Sequence, residues 1–237
     1  FKWSDLNIVN NDSFFSNEII ELSKKSVTYG LANRSDYTAI DINCRSTRID
    51  YLVPMEGKVE RVVVNIPGRY IVENSLSVVA LAMHIGISAR HVLKGLLNVK
   101  IPGVYEVVEN KYEIPVIIDG AKTIKDIENI LISLRPYSTG RLTTVIGLDD
   151  KEDSKTREFI GEILGKLSDN TIVTTYNPRE KDPEKLGQIL LSGIRKVNGK
   201  AIQINDRKEA IEFAISKAQR RDLVLLLGMG DERFLEI

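Results

Sequence analysis

Apolar residues recur along the chain in two rhythms that change near residue 100. Between residues 26 and 64 they form short β-rich runs: Ser26-Val-Thr-Tyr, Tyr37-Thr-Ala-Ile-Asp-Ile, Arg48-Ile-Asp-Tyr-Leu-Val and Val59-Glu-Arg-Val-Val-Val. Turn residues such as Glu56-Gly57 separate these runs, and the spacing predicts antiparallel strands at a sheet edge. After Pro67-Gly68 the text from Val72 onward reads as a small-residue helix that stops at Gly86, and Ser88 opens a second helix through Leu97.

Beyond Pro102-Gly103 the rhythm becomes strand, helix, strand, helix. The predicted strands are Pro115-Val-Ile-Ile-Asp119, Leu142-Thr-Thr-Val-Ile-Gly147, Thr171-Ile-Val-Thr-Thr175, Ala201-Ile-Gln-Ile204 and Leu223-Val-Leu-Leu-Leu227. Periodic segments of ~12 to 15 residues lie between them, which calls for a parallel, doubly wound α/β sheet. The expected boundary falls at residues 99–103, giving a first domain over 1–100 and a second over 101–237. No low-complexity tract or internal repeat interrupts either part.

Composition narrows the chemistry. Lys plus Arg and Asp plus Glu number 33 each, so no net field favours nucleic acid or an anionic membrane surface. The single cysteine, Cys44, makes neither an internal disulfide nor a multi-thiolate metal site, and His84 and His91 sit on helical patterns; no metal site is expected. With no apolar run near ~18 residues and no signal peptide pattern, the expectation is a cytoplasmic protein. The chain opens on Phe1 in what reads as mid-domain, as an excised fragment would.

In a parallel sheet the carboxyl ends of the strands open on one edge, where ligands bind. Four polar loops should meet there: Asp119 to Lys122, Gly147 to Asp150, Tyr176 to Arg179, and Gly228 to Glu232. Thr-Thr-Tyr-Asn-Pro-Arg-Glu-Lys-Asp-Pro, residues 174–183, is the richest: Asn177-Pro178 stops a strand, Asp182-Pro183-Glu184 starts a helix, and Arg179 is presented between them. A guanidinium on an ordered loop suits a bidentate carboxylate, with a surface pair to Glu180 or Asp182 as the plain alternative. Asp119 is able to accept a ribose hydroxyl and Lys122 to neutralise phosphate, unless the segment is an ordinary turn capped by Thr123. Gly228-Met-Gly lets backbone approach a ligand while Glu232 accepts from an ammonium. The charged run 148–157, with Arg157 leading a helix, reads either as a ligand loop or as a solvated face.

A wider set of residues forms a family pattern. Ile8-Val-Asn-Asn-Asp12 matches a run like V-I-N-A-D-D and Thr28-Tyr29-Gly30 matches T-Y-G. Gly68 and Asn74 match a glycine followed by spaced asparagines, with Ile71 in place of the first asparagine. Pro102-Gly103-Val104-Tyr105-Glu106 matches P-G-R-x-E without its arginine, and Asp119-Gly120-Ala121-Lys122-Thr123-Ile124 keeps the aspartate and threonine of D-Y-A-H-T-P. Asn177-Pro178-Arg179 matches D-N-P-R with Tyr176 in place of the aspartate; residues 149–157 align to G-G-D-R-D-K-G-K-R, with Glu152 where an arginine stands. Gly228-Met229-Gly230-Asp231-Glu232 keeps the acid of G-K-G-H-E. In this order the chain resembles, essentially end to end, the Mur ligases, and most closely those that add the third amino acid to UDP-N-acetylmuramoyl-dipeptide.

The resemblance implies an incomplete Mur ligase central domain followed by a Rossmann-like carboxyl-terminal domain. It implies an ATP- and Mg2+-dependent parent in peptidoglycan biosynthesis that joins an amino acid, diaminopimelate or lysine in type, to a UDP-linked muramoyl peptide. Tyr176, Asn177, Pro178, Arg179, Gly228 and Glu232 would hold the amino acid; Asn74, Asp119, Lys122 and Arg157 would face the nucleotide. The phosphate-binding loop G-x-x-G-K-[ST] is not in this sequence, so these residues alone are not expected to activate a carboxylate, and no catalytic residue is assigned. By resemblance the protein is a monomer. The departures at Ile71, Val104, Glu152, Met229 and Asp231 keep two alternatives open: a non-catalytic Mur-like binding protein, or a Mur-like ligase for another amino acid.

Overall fold

A computed structural model describes residues 1–111, 114–178 and 181–232. The chain divides into two compact units, Phe1–Lys100 and Ile101–Ile237.

In the first unit β1 (Asn7–Asn10), α1 (Ser16–Leu22) and β2 (Ser26–Gly30) form a crossover, and β3 (Tyr37–Thr38) extends the sheet on the far side of β2. Both pairings are parallel, which corrects the expectation of antiparallel strands for the Ser26 run. A run of apolar residues specifies a strand without naming its partner, and here α1 supplies the connection that parallel pairing needs. The predicted Tyr37 run also divides. The break falls at Ala39, and β4 (Ile40–Cys44) leaves for a separate sheet, irregular at its start where Asp41 takes φ 50° and the register shifts between Ile40 and Asn43.

β4, β5 (Ile49–Met55) and β6 (Lys58–Val64) form the antiparallel sheet the pattern called for. Glu56 and Gly57 join β5 to β6 with φ of 49° and 74°, the two left-handed positions of a tight hairpin. Helix α2 (Tyr70–His84) starts two residues before the expected Val72 and buries Ile71, Val72, Leu76 and Val79. α3 (Ala89–Asn98) follows Ser88, whose hydroxyl bonds the His91 Nδ1 at 2.7 Å instead of the helix backbone.

The second unit adds β7 (Glu106–Val108), β8 (Val116–Asp119), α4 (Ile124–Leu134), β9 (Leu142–Ile146), α5 (Ser154–Leu167), β10 (Asn170–Val173), α6 (Pro183–Lys196), β11 (Ala201–Gln203), α7 (Arg207–Lys217) and β12 (Leu223–Leu227). The sheet order is β11-β10-β9-β12-β8-β7. All pairings are parallel except that of β7, a short edge strand that Glu106-Val-Val gave too little pattern to predict. Because crossovers are right-handed, α4, α5 and α6, which carry the chain toward β11, lie on one face, and α7, which returns it to β12, lies on the other. Ala210 and Ala214 of α7 pack there on Val145, Ile172, Val224 and Leu226.

On the first face α5 and α6 touch through glycines. A Cβ on Gly161 would lie 2.3 Å from the Leu190 carbonyl oxygen, and one on Gly193 would lie 2.0 Å from that of Glu158. Only hydrogen at both positions lets the two helix backbones approach this closely.

Candidate functional site

Five parallel strands end at one edge of the second unit, and their last residues set the loops that follow. Asp119, the last residue of β8, is 6% exposed. Its two carboxylate oxygens accept the Tyr105 and Ala121 backbone N–H groups, each at 2.9 Å, and its own carbonyl accepts the Gly228 N–H at 3.0 Å. Burial pushes its carboxyl above the ordinary aspartate value, and the two N–H donors oppose that. Asp119 was expected at a nucleotide; in the structure its carboxylate and its backbone carbonyl together tie three loops.

The backbone at this junction is held by glycines. Gly103 takes φ 68° and its carbonyl accepts the Gly120 N–H at 2.7 Å. A Cβ on Gly103 would meet the Asp231 nitrogen at 2.3 Å, so the 102–106 turn fits under the 228–232 loop only as glycine. Glu106 accepts the Gly103 N–H at 2.9 Å and closes the turn.

On this platform Lys122, Tyr176 and Glu232 meet. Lys122 follows β8, Tyr176 follows β10 and Glu232 follows β12, so three different strand ends supply them. The Lys122 ammonium donates to the Tyr176 hydroxyl at 2.8 Å and to a Glu232 carboxylate oxygen, and the Tyr176 hydroxyl donates to the other Glu232 oxygen. The Tyr176 ring is buried and lies 5.0 Å beneath the ammonium, while the two charged heads stay partly open to solvent. Burial pulls Lys122 down, and its hydrogen bonds to Glu232 and Tyr176 outweigh that, so its pKa lies above the ordinary lysine value. The Lys122 hydrogen bond, followed by that of Tyr176, draws Glu232 below the ordinary carboxylate value. Burial, then the bond to Glu232, raises Tyr176. The group is therefore one cation and one anion linked by a neutral phenol.

The other expected site residues fall differently. Arg157 is 1% exposed and donates to the carbonyls of Asp149, at 2.7 Å, and Leu148, at 3.4 Å. Its guanidinium therefore braces the β9 loop instead of reaching a nucleotide, and burial lowers its pKa. Asn177 is buried with φ 41°, Pro178 accepts the Lys181 N–H at 2.9 Å, and Asp182 caps α6 through the Glu184 N–H. Gly228 takes φ 95° beside the Gly147 carbonyl. Asn74 is exposed on α2 of the first unit. Arg179, expected to grip a carboxylate, lies outside the described residues.

Sequence reasoning missed Arg207. It opens α7, donates to the Leu227 carbonyl at 3.0 Å, is lowered by burial and feels the Tyr176 hydroxyl. Among the described residues its Nη1 is buried without a hydrogen-bond partner. The signal was present: Asp206-Arg207 follows the Ala201 strand, whose carboxyl end opens on the same edge.

In the first unit the runs Asn10-Asn-Asp12 and Tyr29-Gly30 are brought side by side by the β1–β2 pairing. The Asp12 carboxylate accepts the backbone N–H groups of Leu31 at 2.5 Å and Asn33 at 2.7 Å. Burial works against it, but the backbone bonds hold it below the ordinary aspartate value. Among the described residues no group of His, Cys, Asp and Glu is placed to hold a metal ion, and no helix is long and apolar enough to cross a membrane.

Residues 105–230 match the family model described as Mur ligase, glutamate ligase domain. The chain is 35% identical over 228 residues to a UDP-N-acetylmuramoyl-L-alanyl-D-glutamate–2,6-diaminopimelate ligase of Caldanaerobacter subterraneus subsp. tengcongensis, covering 96% of this chain and 47% of the relative. It is 33% identical over 238 residues to the ligase of the same name from Alkaliphilus oremlandii, covering 98% of this chain and 49% of that one. Among solved structures, a UDP-N-acetylmuramate–alanine ligase from Thermotoga maritima superposes with a TM-score of 0.74 at 20% identity, over 96% of this chain and 49% of that one. The chain spans about half the length of the relatives it matches.

Proposed function

The chain belongs to the Mur ligase family, and from that premise we propose that it is part of an ATP-dependent amino-acid ligase acting on UDP-N-acetylmuramoyl peptides in peptidoglycan biosynthesis. In this reading residues 1–100 are the later part of the central domain and residues 101–237 the carboxyl-terminal domain, which holds the incoming amino acid. A cytoplasmic location and a monomeric state go with it.

The observation that supports the reading is the pairing of Lys122 with Glu232 across Tyr176 at the sheet's carboxyl edge. A fixed cation beside a fixed anion is complementary to a zwitterion. An amino acid would enter with its ammonium on Glu232 and its carboxylate on Lys122, exchanging one internal ion pair for two external ones. Diaminopimelate, present in the relatives' names, carries such a zwitterionic centre at each end, so holding one end presents the other amino group to an acyl donor. Positioning of this kind converts an encounter into an intramolecular step. Arg179 and Asn177-Pro178 belong to the same loop as Tyr176 and are proposed to complete the amino-acid site, with Gly228 letting the backbone come close.

The nucleotide is a different matter. ATP would supply the activation of the carboxylate, but Asp119 and Arg157 have their polar atoms turned into the fold. The sequence also has no G-x-x-G-K-[ST] run. As placed, Asp119 and Arg157 brace the loops of this edge and do not form a nucleotide cradle.

Calorimetric titration with meso-diaminopimelate and with lysine tests the reading, using wild type, Glu232→Gln and Arg179→Ala. The expected result is binding to wild type that weakens at least tenfold in both variants. The self-satisfied Lys122–Glu232 pair, together with Glu152 where the family pattern has an arginine, favours a second reading: a non-catalytic Mur-like binding protein. Wild-type protein that takes up neither amino acid would decide for that one.

A further inference from the structure

The other edge of the second unit's sheet, where the parallel strands begin, carries a cavity of about 670 Å3 on the face covered by α7. We propose that it binds an amphipathic organic anion: a small molecule with an aromatic or aliphatic body and a carboxylate, sulfonate or phosphate head. The inference does not depend on the ligase reading.

Topology makes the hollow. α7 carries the chain from β11 back to β12 and packs over β9, β10 and β12, so the α7 face of the edge strand β11 is left bare. Thr143, Asn170, Ile172 and Ile202 form the floor: Asn170 pairs with Thr143 and Ile172 with Ile202, and Ile172 faces α7. Phe213 and Lys217 of α7 form one wall. Ile202 and Phe213 remain 41% and 38% exposed. Singly such residues are ordinary on a surface, but here both line one concavity whose volume suits a small organic ligand.

The charge around that floor has one sign. Arg141, Arg195, Lys200 and Lys217 line the cavity, and among the described residues no carboxylate does. Arg141 is already held by Asp222, its Nη2 at 2.7 Å. Among the described residues, Arg195, Lys200 and Lys217 have no carboxylate partner. Arg195 and Lys217 sit in the last turns of α6 and α7, where the helix dipole favours a cation. That account does not reach Lys200, which belongs to neither helix; Lys196, in the same last turn as Arg195, turns away to Glu158 at 2.9 Å. Three unneutralised cations around the apolar surface of Ile172, Ile202 and Phe213 leave the cavity complementary to an anion with an apolar body.

The test is a fluorescence titration of the 237-residue chain with 1-anilinonaphthalene-8-sulfonate, alongside its uncharged analogue N-phenyl-1-naphthylamine. Saturable binding of one sulfonate per chain is expected, with the Ile202 and Ile172 methyl resonances shifting in step with fluorescence. Arg195→Glu/Lys200→Glu should weaken the sulfonate at least tenfold, and the uncharged analogue should bind wild type at least tenfold more weakly. Competition by octanoate and by adenosine monophosphate would separate a carboxylate from a phosphate head. The proposal fails if the charge-reversed protein, checked for an unchanged melting temperature, binds the sulfonate as wild type does. It fails equally if the Ile202 and Ile172 methyls do not respond in wild type, a result independent of how the variant folds. It also fails if sedimentation finds a dimer that the charge reversal dissociates, since a second copy would then cover the face.

Discussion

Lys122 and Glu232, 110 residues apart in sequence, close on each other over the Tyr176 hydroxyl. Their charges are mutually satisfied, and each sets the other's titration. The Glu232 bond is what lifts Lys122 against the pull of burial, so Glu232→Gln should move the Lys122 pKa downward. Carbon-detected NMR titration of the lysine side chain reads this directly, and an unmoved Lys122 would break the assignment. Glu232 titrates below its unfolded value, so its share of stability is present above the unfolded carboxylate value and lost as pH falls through the folded one. Both side chains are more than a third exposed, so the loss from Glu232→Gln should stay below about 1 kcal/mol.

Asp119 looked from the sequence like a ligand-facing carboxylate, and its hydrogen bonds make it a brace. Asn in its place would keep one acceptor and turn an amide N–H toward the Tyr105 or Ala121 N–H. Asp119→Asn should therefore destabilise the fold by roughly 1 to 3 kcal/mol. Urea unfolding of the two proteins measures it. A variant as stable as wild type, with altered ligand affinity only, would return Asp119 to the binding role.

The strands of the second unit and their shared edge were legible because Val, Ile and Leu runs alternate with helical periods, a pattern with few topological solutions. The convergence of Lys122, Tyr176 and Glu232 on that edge follows from the same rule. What the text did not carry was the direction of individual side chains. Arg157 and Asp119 stand in ligand-like motifs, yet one turns to the Leu148 and Asp149 carbonyls and the other to the Tyr105 and Ala121 N–H groups. Partner choice was equally hidden. The Ser26 run pairs with Asn7–Asn10, a strand of four residues bounded by asparagines that has no clear apolar alternation.

The α5–α6 contact gives a test of packing. A methyl at position 193 would lie 2.0 Å from the Glu158 carbonyl oxygen, which belongs to helix backbone and moves only if the helices separate. Gly193→Ala should cost about 1 to 3 kcal/mol despite alanine's better helix propensity. Thermal unfolding checks it: a raised melting temperature would mean that the helices do not cross this closely.

Asp222 should dominate one part of the acid response. It is 5% exposed at the start of β12 and accepts from Arg141 through the backbone N–H at 2.8 Å, Nε at 3.1 Å and Nη2 at 2.7 Å, and from the Gln219 N–H at 3.0 Å. Burial alone would raise its carboxyl, and these donors reverse the direction, leaving it below the ordinary aspartate value. A carboxyl lowered in the folded state stabilises above its unfolded pKa, about 3.9, and loses that contribution as pH falls through the folded value. Asp222→Asn should therefore cost roughly 2 kcal/mol at pH 7. The gap between the two proteins should narrow below about pH 4, because the wild-type carboxyl then takes up its proton and loses the charge that made its bonds strong. Denaturant unfolding of both proteins from pH 7 to pH 3 separates the cases. A gap that stays constant with pH would assign the loss to packing around Asp222 and not to its charge.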